Sequence, residues 1–182
     1  MNGGLLGYFN LLEWWRTSFT REERSTVRAQ VARPLSAFSD LDSGNVSWCS
    51  YKNGCVALCA LATWFTRSDL LAIGRKFAER GEELLGQIED AKDLHFALCD
   101  LINFWAWAGV GNKKREIALC RKQVALALIV APLLRGDSPK GTRLFHPGIA
   151  RLIQVLDGEN DAAELIIIRK VAEEAGWKIE CS

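Results

Sequence analysis

The sequence predicts an all-α fold of stacked antiparallel helix hairpins. Three observations lead there. Apolar residues recur at three-to-four-residue spacing in nearly every segment. Capping residues, among them Thr20 with Glu23, Asp90 and Asn112, stand just ahead of those segments, and glycines or prolines stand just behind. No segment alternates apolar and polar residues over the length of a half-buried strand. Together they predict about eight helices in about four hairpins, within one domain spanning residues 1–182.

The first helix is predicted over Leu5 to Thr17, because Leu5, Tyr8, Phe9, Leu12 and Trp15 fall on one face. Thr20 and Glu23 form a capping box, each side chain satisfying a backbone donor that the helix start leaves orphaned. The second helix therefore runs from Arg21 to about Ala32 and stops before Pro34. An irregular connection rich in Ser, Asp, Asn and Gly follows at about 35–53, a hinge candidate.

Val56, Cys59, Leu61, Ala62 and Phe65 mark a helix over Gly54 to Phe65. Ser68 and Asp69 offer caps for the next one, to about Arg80, with Gly81 as its stop and one or two turns over Glu82 to Ile88. Asp90 caps a long helix from Ala91 to Ala108, ended by Gly109, and Asn112 caps another from Lys113 to Ala131, ended by Pro132. Arg135 to His146 reads as a loop. Pro147 suits the first turn of a short helix to Leu156, broken by Gly158. Asp161 and Glu164 open the last helix, which ends at Gly176; the β-branched run Leu165 to Ile168 lies inside it and is read as helix.

Composition bounds function. With 23 basic and 22 acidic side chains the chain has no net field for a phosphate backbone or an anionic membrane, so neither nucleic acid nor membrane is an expected partner. The longest apolar run, Val124 to Leu134, is too short to cross hydrocarbon and contains Pro132. Six cysteines (Cys49, Cys55, Cys59, Cys99, Cys120 and Cys181) follow no secretory leader, and a reducing cytoplasm is the expected setting. Most of them fall on apolar helix faces, where a thiol packs as a small hydrophobe.

Helix pairs of this length, ending near Ala-Pro or Gly-Trp, resemble tetratricopeptide-like solenoids, whose hairpins stack to bury their apolar faces. Three stretches are similar to a family of uncharacterised bacterial helical-repeat proteins: Leu5 to Trp15 (LLGYFNLLEWW) with Thr20 to Arg24 (TREER), Asp93 to Phe96 (DLHF), and Ala175-Gly176-Trp177. The resemblance implies a degenerate solenoid without an exact repeat period, and it carries no catalytic residue.

Several residue groups invite a functional reading. Cys55 and Cys59 share a helix face, and Cys49 and His95 stand as further metal ligands, but the spacing lacks the paired cysteine units of closed zinc sites, and His146 lies in a distant loop. His95 and Cys99 lie one turn apart, as a base and nucleophile would, although apolar neighbours hold a thiol protonated. No cofactor motif is present. Lys113, Lys114, Arg115, Arg121 and Lys122 form a basic cluster diluted by Glu116, which reads as a solvated face. Trp15 belongs to the core stripe, and Trp14 is either core or an exposed anchor.

The strongest signal is the two-faced helix from Ala91. Leu94, Ala97, Leu98, Leu101, Phe104, Trp105 and Ala108 gather on one side; His95, Phe96, Cys99, Asp100, Asn103 and Trp107 gather on the other. The second side mixes aromatic rings with hydrogen-bonding groups. In a helical solenoid such a face grips a protein or peptide partner, with His95, Phe96, Asp100, Asn103 and Trp107 as contacts. The competing readings are internal packing and a small-molecule or enzymatic site built from His95, Cys99, Asp100 and Asn103.

Overall fold

A computed structural model describes residues 3–32, 40–46, 49, 51–107, 113–137, 145–159 and 162–178. These form ten α-helices and two 3₁₀ turns and no strand, and Phe145 and Lys178 make an isolated bridge. The all-α expectation holds. Among the described residues no single helix is long and apolar enough to cross a membrane. The chain divides into two compact units, residues 1–84 and 85–182.

The first unit opens with α1 (Gly4–Tyr8) and α2 (Leu12–Ser18) in place of the single expected helix. Asn10, in the left-handed conformation at φ 59°, separates them. Asparagine tolerates that conformation because its short polar side chain bonds locally, so the break is compatible with the apolar spacing that suggested one helix. The free amides at the start of α1 find acceptors in the irregular connection: Leu5 donates to the Asp40 carbonyl at 2.7 Å and Leu6 to that of Leu41 at 2.8 Å. Helix α3 (Arg21–Val31) starts on the expected capping box, with the Glu23 amide donating to Thr20 and the Thr20 amide to Glu23.

Helix α4 (Gly54–Ala62) is capped by the Asn53 side chain, passes into a 3₁₀ turn at Thr63–Phe65, and packs on α5 (Leu71–Leu84). Gly81 lies inside α5 and does not end it. Its role is tertiary: a Cβ at Gly81 would stand 2.7 Å from the Cys59 sulfur, and the Cys55 thiol donates to the Gly81 carbonyl at 3.1 Å. The two helices therefore meet at van der Waals distance only because one residue has no side chain. Gly81→Ala is expected to destabilise the protein by about 1–3 kcal/mol through overpacking. A second substitution, Cys59→Ala, should return most of that loss in a urea-unfolding double-mutant cycle. Strictly additive effects would remove this account.

The second unit begins with a 3₁₀ turn at Leu85–Gln87, followed by α6 (Ala91–Trp107), α7 (Lys113–Val124), α8 (Ala127–Asp137), α9 (Pro147–Glu159) and α10 (Ala162–Ala175). Helix α6 packs on α7, α8 and α9, and α10 packs on α8 and α9. Ala97, Leu98, Leu101, Phe104 and Trp105 of the expected core stripe are buried, with Ile102 added. Cys49, Cys55, Cys59, Cys99 and Cys120 are free thiols.

Three boundaries differ from expectation. The helix from Lys113 does not run to Ala131; it breaks at Ala125 and Leu126, where the axis bends by 65°, and Pro132 lies within α8. Proline removes the donor that the Leu128 carbonyl would use, but Leu128 is half exposed and solvent can serve its carbonyl. Helix α8 also takes in Arg135 to Asp137, expected as loop. Gly158 lies inside α9, with open space where a Cβ would stand, so nothing forces a stop there. The expected caps Asn112 and Asp161 and the stop at Gly109 fall outside the described residues. Gly176 does end α10: at φ 65° it lets its own amide donate to the Glu173 carbonyl and that of Trp177 to Ala172, which is a Schellman closure.

Candidate functional site: the outer face of α6

Helix α6 is started by Asp90, whose carboxylate accepts from the Lys92 and Asp93 amides at 3.0 and 2.9 Å. That cap sets the rotation of the helix and so the direction of each side chain. With one flank buried against α7, α8 and α9, Phe96, Asp100, Asn103 and Trp107 form a stripe on the side left open. Trp107 is 78% exposed and Phe96 42%; Asn103 is exposed, and Cys99 and Asp100 are half-buried. Burial pushes the Asp100 carboxyl up to about 6, so it is ionised above that pH and ready to receive a positive group.

His95, read as part of this face, is turned into the protein at 2% exposure. Its ring stacks on Trp177 at 5.8 Å and lies 5.0 Å from the ring of His146, which is fully buried. The expected distance of His146 from this helix is thus corrected. Phe145 to Pro147 lead into α9, and the packing of α9 on α6 delivers the imidazole. The backbone amide of Ile149 donates to His146 Nδ1 at 3.1 Å, which places the His146 proton on Nε2. Neither His146 Nε2 nor His95 Nδ1 has a hydrogen-bond partner among the described residues.

Gln123 of α7 holds this cluster together. Its amide nitrogen donates to the His95 carbonyl at 3.1 Å and to the Cys99 sulfur at 2.7 Å, and its oxygen accepts from the Gly148 amide at 2.7 Å. One buried side chain therefore ties α6 to α7 and to the start of α9. Trp177 adds a bond from its indole to the Ala127 carbonyl at 3.1 Å.

The chemistry of the His95 and Cys99 pair follows from this burial. Their facing atoms are 3.7 Å apart. Burial pushes the Cys99 thiol up to about 12 and the His95 imidazole down to about 4. Moving a proton from that sulfur to that nitrogen is strongly uphill, so the pair does not supply a thiolate nucleophile at neutral pH. His95 is thereby separated from Asn103 both in exposure and in chemistry. Among the described residues no group of three or more His, Cys, Asp or Glu side chains is placed to hold a metal ion.

Lys113, Lys114, Arg121 and Lys122 of the α7 basic cluster are exposed, and two of the cluster's arginines have partners within the second unit. Arg121 pairs with Glu164 at 2.6 Å, buried Glu116 pairs with Arg151, and Arg115 lies over the Trp105 ring at 4.2 Å. Trp15 is core, while Trp14 is partly covered and packs edge-on against Phe19 and Phe77. A further apolar surface was not anticipated. Leu128, Ile129 and Leu133 of α8 and Ile166 and Ile167 of α10 are about half exposed or more. The stretches 127–134 and 165–168 are uninterrupted apolar sequence, which reads as burial and hides the fact that one side has no cover. Comparison with family models, curated proteins and solved structures returns no match for the chain.

Proposed function

We propose that this chain is a protein- or peptide-recognition module of tetratricopeptide-like helical-repeat type, acting without a cofactor through the outer face of α6. One observation carries the reading. Among the described residues every exposed large hydrophobic side chain belongs to the second unit, and two of them, Phe96 and Trp107, bracket Asp100 and Asn103 on a single stripe. Isolated exposed apolar residues are ordinary, but a stripe that alternates rings with polar groups has the composition of a contact surface. The stripe is roughly 16 Å long at 1.5 Å per residue, about three turns of a partner helix. Phe96 and Trp107 supply large apolar contact with few torsions to freeze, Asn103 offers donor and acceptor to a backbone, and Asp100 receives a lysine or arginine. The contacts proposed are Phe96, Asp100, Asn103 and Trp107, and the buried His95 supports them from beneath.

The test separates recognition from packing. Trp107→Ala and Asn103→Ala, made singly, are expected to change stability by less than about 1 kcal/mol because both side chains are exposed. Affinity capture from the native host with the unaltered chain should retain a partner that Phe96→Ala/Trp107→Ala loses, a weakening of at least about 2 kcal/mol. A loss of several kcal/mol of stability in both single variants would assign the face to internal packing instead.

A further inference from the structure

The first unit holds a cavity of about 320 Å³ lined by Leu12, Trp15, Arg16, Arg24, Arg28 and Asp42. Three guanidinium groups and one carboxylate face it, so its walls carry about two net positive charges at neutral pH. The carboxylate cannot neutralise more than one of them. Asp42 already accepts from the Trp15 indole at 2.7 Å and from Arg28 Nη2 at 2.6 Å, with Arg28 Nε at 3.0 Å from its other oxygen. Arg28 is thereby fixed in place, and Asp42 is occupied.

The other two arginines are differently held. Arg24 lies one turn before Arg28 on the same face of α3, and its Nη1 donates to the carbonyls of Arg16 and Phe19 at the end of α2. Those carbonyls form the negative end of a helix and would repel an anion; Arg24 covers them. Its remaining donors, and the whole guanidinium of Arg16, make no hydrogen bond among the described residues. The nearby acidic side chains Glu13, Glu22 and Glu23 do not line the cavity, and Glu23 is paired with Lys76 at 2.6 Å. Two planar forks with donors to spare thus line one space, Arg24 held by two backbone carbonyls and Arg16 by no hydrogen bond among the described residues.

We propose that this cavity binds the phosphate monoester of a small organic molecule. A phosphate dianion matches the net charge of the walls, whereas a carboxylate would leave one arginine uncompensated. The volume exceeds that of a phosphate group and lies at the lower end of small-ligand pockets, leaving room for a small organic body beside the partly exposed Leu12. Arg16 and Arg24 hold the phosphoryl oxygens, and Arg28, locked by Asp42, gives the cavity its fixed wall. The cavity belongs to the first unit and the α6 face to the second, and neither reading depends on the other.

Isothermal titration of the full chain at constant ionic strength tests this with phenyl phosphate, inorganic phosphate and benzoate. Phenyl phosphate is expected to bind at one equivalent, more tightly than inorganic phosphate and at least about tenfold more tightly than benzoate. Arg16→Gln should weaken phenyl phosphate at least about tenfold while leaving the melting temperature unchanged, since Arg16 is exposed and holds nothing in place with its side chain. Arg21→Gln, at the start of α3 and outside the cavity, should bind as the unaltered chain does. Absence of saturable phenyl phosphate binding, equal affinity for benzoate, unchanged binding in Arg16→Gln, or an equal loss in Arg21→Gln would each overturn the assignment.

Discussion

Phe77→Ala is expected to remove about 3–5 kcal/mol of stability, the range for truncating a fully buried phenylalanine. Phe77 has no exposed surface, and four rings close on it: Phe19 at 5.0 Å, Phe65 at 5.6 Å, Trp14 at 5.9 Å and Trp15 at 6.1 Å. Those rings come from α2, the segment after it and the 3₁₀ turn, while Phe77 itself is on α5, so a cavity here has walls that cannot collapse together. Each kilocalorie lowers the melting temperature of a protein of this size by roughly 2–4 °C, so a drop on the order of 10 °C is expected. Phe77→Leu, which keeps most of the volume, should lose less than half as much. A Phe77→Ala protein that melts within a degree or two of the original would show that the cluster is not the core of the first unit.

Lowering the pH from 7 toward 4 is expected to destabilise the second unit by on the order of 3–6 kcal/mol, a large part of the total stability of an ordinary domain. Burial pushes the His95 imidazole down to about 4 and that of His146 to about 3, the latter also opposed by its neighbour His95. An unfolded imidazole takes up its proton near 6.5. Between pH 6.5 and those values the unfolded chain therefore binds more protons than the folded one, and stability falls as the pH falls. Asp100 acts in the opposite sense: burial raises its carboxyl to about 6, so the folded chain gains relative stability between about 6 and 3.8. Two histidines outweigh one half-buried carboxyl, and the net change is a loss. Tryptophan fluorescence followed through urea unfolding at stepped pH measures it. His146→Phe should flatten the profile, and a stability that stays constant from pH 7 to 4.5 would contradict the buried, neutral pair.

What could be read in the sequence was the chemistry that acts within a few residues. The Thr20 and Glu23 box, the Asp90 cap and the Gly176 closure satisfy donors or acceptors two to five positions away, and each is where local reasoning placed it. The same holds for Leu165 to Ile168, whose β-branched side chains did not prevent a helix opened by favourable neighbours. Gly81 was misread because its meaning lies across the helix pair at Cys59, and a glycine in a helical pattern otherwise reads as an end. The break at Ala125 carries no residue that disfavours helix; the bend buries Ala127, Val130 and Ala131, a tertiary outcome. On α6, periodicity separated the two faces and identified Phe96, Asn103 and Trp107 as outward. It put His95 among them, because the position of a residue at the edge of a stripe depends on how far the neighbouring helices wrap around. His146 could not be matched to His95 from spacing, since only the fold brings α9 to α6. The arginine cavity was equally hidden: Arg16, Arg24 and Arg28 look like ordinary surface charges until Asp42 is seen to engage only one of them.

The bonding of the first unit also implies an order of events during folding. The Thr20 box spans three residues, and the bonds of Arg24 to Phe19 and Arg16 span five and eight. Such short loops close in well under a microsecond, so the turn between α2 and α3 is available as a nucleus before distant parts of the chain meet. The bond between Trp15 and Asp42 spans 27 residues and that between Lys76 and Glu23 spans 53. Their closure entropy is paid later, and Phe77, next to Lys76, docks with it. Substitutions in the Thr20 turn should therefore slow refolding, whereas truncating Phe77 should chiefly speed unfolding, leaving a transition state in which the N-terminal hairpin is built and the aromatic cluster is still open.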